Sequence, residues 1–152
     1  MIRTSRKPAT AILLASLVAI ATYLALTARA ARSTEGPSLE QLELAIASPD
    51  AGADTWMLYA QRLLQDRRFA HAAAAYQHVL ETDPYSRAAN IGCASALALT
   101  RDAEQLFPFL THLLLIEPRI LLDIFSRSEV SPFITQERFK TLQAQAHAQS
   151  LD

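Results

Sequence analysis

Few side chains in this sequence have the type and spacing that catalysis or metal binding requires. Cys93 is the one cysteine, so no internal disulfide can form; we expect a buried core thiol, with an intermolecular disulfide or a redox role as alternatives. His78 and His112 occupy equivalent positions of a sequence repeat, which would place them in different structural units rather than on one metal ion. Together with His71 and His147, they are expected to be solvated or snorkelling helix residues.

The charged residues also lack a catalytic pattern. Several carboxylates are expected near helix ends, where helix starts and loops normally collect such charges: Asp50, Asp54, Asp66, Glu81 and Asp83. Arg67 and Arg68 are expected in a solvated turn between two helices rather than at an anion site. No HExxH, CxxC, CxxCH, GxSxG or phosphate-loop motif occurs. We therefore expect no enzyme activity, no small-molecule substrate, no metal and no cofactor.

The elements that must position these residues repeat along the chain with a period of about 34 residues. Similar residues recur at this spacing in five pairs: Ala60 and Ala94, Leu63 and Leu97, Leu80 and Leu114, Asp83 and Glu117, and Pro84 and Pro118. This period is typical of helix-turn-helix repeat proteins. Because such solenoids present a concave surface to a peptide or protein, the period favours binding over catalysis.

The first copy, residues 53–86, resembles the tetratricopeptide repeat (TPR) family. Bulky, small and helix-ending residues stand where the template has them: Trp56, Tyr59, Leu63 and Tyr76, then Ala60 and Ala72, then Pro84. Small residues at Ala60 and Ala72 would let two antiparallel helices approach closely. Proline cannot donate a backbone hydrogen bond, so Pro84 is expected to end the second helix.

The second copy, residues 87–120, keeps the period but departs from the template. Asn90 stands in the place of Trp56, and Cys93 in the place of Tyr59. Pro108 falls inside the second helix of this copy, so we expect that helix to bend or to start late. The residues that follow do not fit a third copy, and the array is expected to stop after two.

Flanking helices are expected to cap the two repeats, because a lone pair of repeats leaves apolar faces exposed. Residues 38–48 read as a helix that matches the second half of an earlier repeat, with Leu42 and Ala45 equivalent to Tyr76 and Val79. Pro118 can open a further helix. A last helix over about residues 135–148 would pack Phe139 and Leu142 with Phe133. The expected fold class is all-α, a TPR-like helical domain over residues 38–150.

The amino-terminal residues have the composition of a membrane segment. A basic stretch, residues 1–8, precedes residues 9–28, which contain no charged side chain and would span ~30 Å as a helix. We expect a single transmembrane helix or signal anchor, with a cleaved signal peptide as the alternative, because Ala28 to Ala30 matches the A-x-A cleavage pattern. Residues 29–37 form the expected linker to the helical domain.

Charge decides which side of the membrane the domain occupies and which ligands it excludes. More basic residues precede the apolar segment than follow it, so the positive-inside rule predicts a periplasmic domain, with a cytoplasmic-facing one as the alternative. From Ser33 onward the chain has nine Arg or Lys and fifteen Asp or Glu, a net charge of −6. An acidic domain argues against binding to nucleic acid and against a polybasic membrane patch.

The TPR resemblance implies where a partner would bind. In that family the first helix of each repeat lines the concave face, which here predicts a groove of mixed polarity: Asp54, Met57, Gln61, Leu64, Gln65, Ala88, Ile91, Ser95 and Leu99. Such a groove would suit an amphipathic helix or an extended peptide. The alternative is that the flanking helices fold over this face and make it part of the core.

These features predict a protein of the bacterial inner membrane with a single pass, whose helical domain is a scaffold or adaptor in an envelope assembly or maturation complex. Within the TPR superfamily, Leu39 through Ala45, Pro49, Trp56 and the tract 72–75 resemble periplasmic subunits of cytochrome c maturation and haem lyase systems. That resemblance implies a protein or peptide partner, an apocytochrome segment. The alternative is a small structural subunit attached to a large membrane complex mainly through its transmembrane helix.

Overall fold

The computed structural model describes residues 36–150, which form seven α-helices and one 3₁₀-helix. The α-helices are α1 (Leu39–Ile46), α2 (Ala53–Gln65), α3 (Phe69–Thr82), α4 (Arg87–Thr100), α5 (Ala103–Ile116), α6 (Pro118–Phe125) and α7 (Glu137–Gln149), and the 3₁₀-helix (Ser128–Phe133) lies between α6 and α7. Residues 36–150 contain no β-strand. The prediction of an all-α fold is therefore confirmed for this part of the chain.

The helix starts reproduce the period of the sequence. Helix α2 begins at Ala53 and α4 at Arg87, while α3 begins at Phe69 and α5 at Ala103. Each pair of starts is one sequence period apart, and α3 and α5 each contain 14 residues. The period therefore describes two successive helix pairs, α2 with α3 and α4 with α5.

The turns inside the two helix pairs repeat as well. Arg67 and Arg101 both have φ of 60°, the left-handed conformation that non-glycine residues adopt rarely. The backbone N–H of Arg67 donates to Leu64 at 3.1 Å, and that of Arg101 donates to Ala98 at the same distance. A left-handed residue after a helix lets the chain turn while the last carbonyls keep hydrogen-bond partners. This turn separates α2 from α3, and α4 from α5.

The core is built from small residues where the helices pack closely. Ala60 on α2, Ala72 on α3 and Ala94 on α4 are completely buried, and α3 packs against both α2 and α4. Leu63 and Leu97, which occupy equivalent positions of the two copies, are buried beside them. The methyl group of alanine at these positions keeps the helices close together, so the larger neighbours can interdigitate around the contact.

The carboxyl-terminal elements complete this core. Pro118 is the first residue of α6, as predicted from its fixed φ. Phe139 on α7 and Phe133 at the end of the 3₁₀-helix are both buried. The Phe139 ring packs against that of Phe125 with 4.7 Å between the ring centroids, while Phe133 packs against Phe107 of α5 at 6.1 Å. The expected contact of the last helix with the core is thus present.

Helix α1 matches an earlier repeat only in part. Leu42 is buried, like its counterpart Tyr76 one period later. Ala45, however, is exposed, whereas its counterpart Val79 is buried. The predicted equivalence of Ala45 with Val79 is therefore wrong. Helix α1 has eight residues and buries fewer side chains than α3 does.

Pro108 does not delay the start of α5. The helix begins at Ala103, and the carboxylate of Asp102 accepts hydrogen bonds from the backbone N–H groups of Glu104 and Gln105 at 2.9 and 3.3 Å. Of the two alternatives expected for Pro108, a bend or a late start, the late start is wrong, because the side-chain cap at Asp102 fixes the first turn before Pro108 is reached.

Among residues 36–150, no helix combines the length and hydropathy needed to cross a membrane. The predicted basic segment (1–8), membrane segment (9–28) and most of the predicted linker (29–37) lie outside the residues that the structure describes.

Candidate functional site

An open cleft of about 570 Å³ lies among α2, α3, α4 and the segment that follows α6. We call it the Tyr76 cleft, and its lining residues are Gln61, Leu64, Tyr76, Arg87, Ala88, Ile91, Gly92, Ser95, Arg127 and Glu129. Three helices of the two repeated pairs contribute to it. The period of the sequence thus positions most of this surface.

The phenol ring of Tyr76 lies directly on the backbone of Gly92. A Cβ atom added at Gly92 would lie 2.4 to 2.8 Å from three ring atoms of Tyr76, well inside van der Waals contact. Gly92 lies within α4, where glycine costs about 1 kcal/mol relative to alanine. The absent side chain at Gly92 leaves the space that the tyrosine ring occupies.

Burial shapes the chemistry of this tyrosine. The side chain of Tyr76 is 3% exposed, and burial, followed by the neighbouring Cys93, raises the pKa of its hydroxyl above the ordinary value of 10.0. The phenol is therefore neutral at physiological pH. A neutral, buried phenol is not arranged for proton transfer, and the part of the ring that lines the cleft offers apolar contact.

The rim of the cleft carries charges of both signs. Arg87 is held by an ion pair with Asp123 of α6. Arg127 is exposed and forms no ion pair with any residue in 36–150. Glu129 accepts a hydrogen bond from the hydroxyl of Ser128 at 3.0 Å. Apolar Leu64 and Ile91 also line the cleft. The cleft therefore combines apolar surface with a charged rim, as peptide-binding grooves do.

Five of the nine residues predicted to form the groove lie together in the structure. Gln61, Leu64, Ala88, Ile91 and Ser95 line the Tyr76 cleft, as their spacing indicated. Asp54, Met57, Gln65 and Leu99 were predicted with them, but they do not line it.

The four residues outside the cleft lie there for different reasons. Asp54 in the first turn of α2 and Gln65 at its end are exposed beyond the cleft. Met57 is partly buried and packs against the core. Leu99 lies near the end of α4, and the 3₁₀-helix packs on α4 next to the cleft. Leu99 itself is half-buried.

Sequence reasoning did not place Tyr76, Arg87, Gly92, Arg127 and Glu129 in the cleft. Gly92 carried the one usable signal, since a glycine in a predicted helix interior often marks a close approach by another group. Arg127 and Glu129 follow α6, and only the tertiary structure returns that segment to α4.

The side chains considered for chemistry in residues 36–150 are one buried thiol and four exposed imidazoles. Cys93 is completely buried, its Sγ lies 3.9 Å from the carbonyl oxygen of Ala73, and burial raises the pKa of its thiol to about 12. The prediction of a buried core thiol is confirmed. His71, His78, His112 and His147 are all exposed. In residues 36–150, no group of three His, Cys, Asp or Glu side chains is arranged to hold a metal ion.

The paired arginines lie in a turn, as predicted. Arg67 has the left-handed backbone described above, and the guanidinium of Arg68 forms an exposed ion pair with Glu43 of α1 at 3.5 Å. Arg68 therefore links the turn to the first helix instead of forming an anion site.

No family model matches this chain, and comparison with curated proteins and with solved structures finds no similar protein.

Proposed function

We propose that this protein is a membrane-anchored TPR scaffold that binds a segment of a partner protein in the Tyr76 cleft. The observation that carries the proposal is the position of the cleft on α2 and α4, the first helices of the two repeated helix pairs. Repeat proteins of helix pairs use this face for recognition.

The composition of the cleft supports a peptide or helix as the occupant. Leu64, Ile91 and Tyr76 supply apolar contact, whereas Gln61 and Ser95 supply hydrogen-bonding groups along one side. A chain segment with alternating apolar and polar side chains would satisfy both kinds of surface.

The proposed place of action is the periplasmic side of a bacterial inner membrane, with residues 9–28 as the single anchor. The excess of Arg and Lys before that segment over those after it supports this orientation. The resemblance to cytochrome c maturation subunits makes an apocytochrome segment the first partner to test.

The test compares variants that differ only in where a long charged side chain is placed. Ala88 is exposed on α4 and lines the Tyr76 cleft, while Ala144 is exposed on α7 and does not. We expect Ala88→Arg in the full-length chain to lose its co-purifying proteins in a mild-detergent pull-down. Ala144→Arg should retain them, because position 144 lies outside the cleft. Arginine favours helix nearly as well as alanine does, so both variants should keep their helices.

Two outcomes would contradict the proposal. If Ala88→Arg retains the same partners as the unaltered chain, the cleft is not the binding surface. If replacing residues 11–26 with an unrelated apolar helix releases every partner while Ala88→Arg releases none, the protein is instead a structural subunit attached through its membrane segment.

A further inference from the structure

A second concavity, of about 430 Å³, lies where α1, α2 and α3 meet. We call it the Trp56 groove; its walls include Ile46, Trp56, Tyr59, Ala75, His78 and Glu81. It shares no lining residue with the Tyr76 cleft. It is therefore a separate surface, and its role is independent of the function proposed above.

The Trp56 groove has a counterpart one repeat later. A smaller concavity, of about 230 Å³, is lined by residues at the equivalent positions, where Leu80 corresponds to Ile46, Asn90 to Trp56, Phe109 to Ala75, and His112 to His78. The two grooves are thus the same feature of the repeat, formed once in each helix pair.

The difference between the two grooves shows what the larger one lacks. Ala75 and Phe109 are both the seventh residue of their helices, α3 and α5, so their side chains start from equivalent places. Phe109 packs its ring against the core in the smaller groove. Ala75 is itself 3% exposed, but alanine is smaller than phenylalanine, and the Trp56 groove is the larger of the two, about 430 Å³ against 230 Å³. The Trp56 groove therefore has room for a flat group about the size of a phenyl ring.

The charges select which flat group fits. Glu81 lines the Trp56 groove and also the smaller concavity, and it is the one carboxylate in the lining of either. The carboxylate of Glu81 forms a hydrogen bond with Nδ1 of His78 at 3.0 Å, which positions the carboxylate beside the groove. A carboxylate at the opening favours a positively charged occupant.

The aromatic walls favour the same occupant. The ring of Trp56 lies 4.2 Å from that of His78 and 6.0 Å from that of Tyr59, measured between centroids. Electron-rich ring faces attract cations, and tryptophan does so most strongly. The protein already contains one such contact, since the guanidinium of Arg138 lies 4.6 Å from the centroid of Phe107.

We propose that the Trp56 groove binds an arginine side chain of a protein partner. A guanidinium is flat, stacks on aromatic rings and sheds water more readily than an ammonium group, so it meets both the shape left by Ala75 and the charge of Glu81. The acidic character of the chain beyond Ser33 adds to this attraction.

Trp56 is the one tryptophan of the chain, so its fluorescence reports on this groove directly. The full-length protein is titrated with the blocked tripeptide acetyl-Gly-Arg-Gly-amide and, separately, with the same peptide carrying citrulline, which has the same shape without the charge. We expect a saturable change in Trp56 emission with the arginine peptide, and at least about threefold weaker binding of the citrulline peptide.

Two substitutions test the residues named. Ala75→Phe gives the Trp56 groove the same side chain that Phe109 supplies in the smaller groove. We expect this variant to keep its helical circular dichroism spectrum and to lose the fluorescence response to the arginine peptide. Glu81→Gln should weaken binding about threefold, while Glu40→Gln, an exposed carboxylate of α1 outside the groove, should not.

Several results would overturn the proposal: equal binding of the citrulline and arginine peptides, no emission change with either, or undiminished binding to a folded Ala75→Phe protein. If Ala75→Phe does not fold, the comparison of Glu81→Gln with Glu40→Gln decides. Because the two surfaces share no residue, Ala88→Arg should leave the arginine response unchanged, so failure of one proposal is distinguishable from failure of the other.

Discussion

At the scale of single residues, the contact between Gly92 and Tyr76 determines the depth of the cleft. The tyrosine ring fills the space that a side chain at position 92 would need. At the equivalent positions of the neighbouring units stand Leu42 and Leu110, which are also buried. Tyr76 therefore occupies a core position of the repeat while presenting part of its ring to the cleft.

We expect Gly92→Ala to lower the free energy of unfolding by about 1 kcal/mol, because overpacking costs about 1–3 kcal/mol and the gain in helix propensity offsets only part of it. Urea unfolding monitored by circular dichroism measures this change. The same substitution in a Tyr76→Leu protein should instead stabilise by up to about 1 kcal/mol, since the clash is gone.

A matched control is Gly36→Ala, because a Cβ at Gly36 would meet nothing within 4 Å. Its unfolding free energy should equal that of the unaltered protein. If Gly92→Ala stabilises the protein with Tyr76 present, the ring moves aside at no cost and the contact does not shape the cleft.

Cys93 predicts how stability depends on pH. Burial raises the pKa of its thiol from 9.0 to about 12, so the native state holds a proton that the unfolded state releases above pH 9. Stability from this group is complete below pH 9 and declines as pH rises toward 12. The raised pKa of Tyr76 acts in the same direction.

We expect the free energy of unfolding to be lower at pH 10 than at pH 8, and Cys93→Ala to reduce that difference. Urea titrations at both pH values provide the measurement, and Tyr76→Phe separates the contribution of the phenol. An unchanged pH dependence in the Cys93→Ala protein would show that the thiol ionises as readily in the folded state as in the unfolded one.

At the scale of elements, the two left-handed arginines are the least favourable backbone positions in residues 36–150. Glycine has no Cβ and adopts the left-handed conformation without strain. We expect Arg67→Gly and Arg101→Gly each to raise the free energy of unfolding by about 0.5–1 kcal/mol. Thermal and urea unfolding would measure the gain.

The control for these turns is Arg119→Gly, which places glycine in the helical backbone of α6 at an exposed position. It should destabilise by up to about 1 kcal/mol. If all three variants have a lower free energy of unfolding, then the contacts of the arginine side chains, rather than the backbone conformation, determine the effect of these substitutions on stability.

The elements follow closely from the sequence where local rules act. The repeat period and Pro118 each fix a helix boundary, because proline geometry depends on neighbouring residues alone. The start of α5 at its Asp102 cap is equally local, but it was not predicted. The path of Ser128–Phe133 was not predictable in this way. Its short 3₁₀-helix forms where Val130 and Phe133 are buried against other elements.

At the scale of the whole molecule, the proposed orientation in the membrane can be tested by fusion. Alkaline phosphatase, which is active only after export, would be fused after Asp152 of the full-length chain. We expect an active fusion, because the basic residues before the apolar segment favour a cytoplasmic amino terminus. Replacing Arg3, Arg6 and Lys7 with Gln should lower the activity.

A cytoplasmic reporter such as β-galactosidase, fused at the same site, is the matched control and should be inactive. An active β-galactosidase fusion with inactive alkaline phosphatase would contradict the periplasmic orientation and place the helical domain in the cytoplasm.

The sequence by itself determined the all-α fold, the register of the two helix pairs and half of the cleft, including Leu64 and Ile91. These features depend on periodicity and on residues close together in the chain. Only the tertiary structure decided that Arg127 and Glu129 complete the cleft and that Tyr76 lies over Gly92. Those contacts join residues far apart in sequence, and their geometry follows from how the helices pack, which no local pattern encodes.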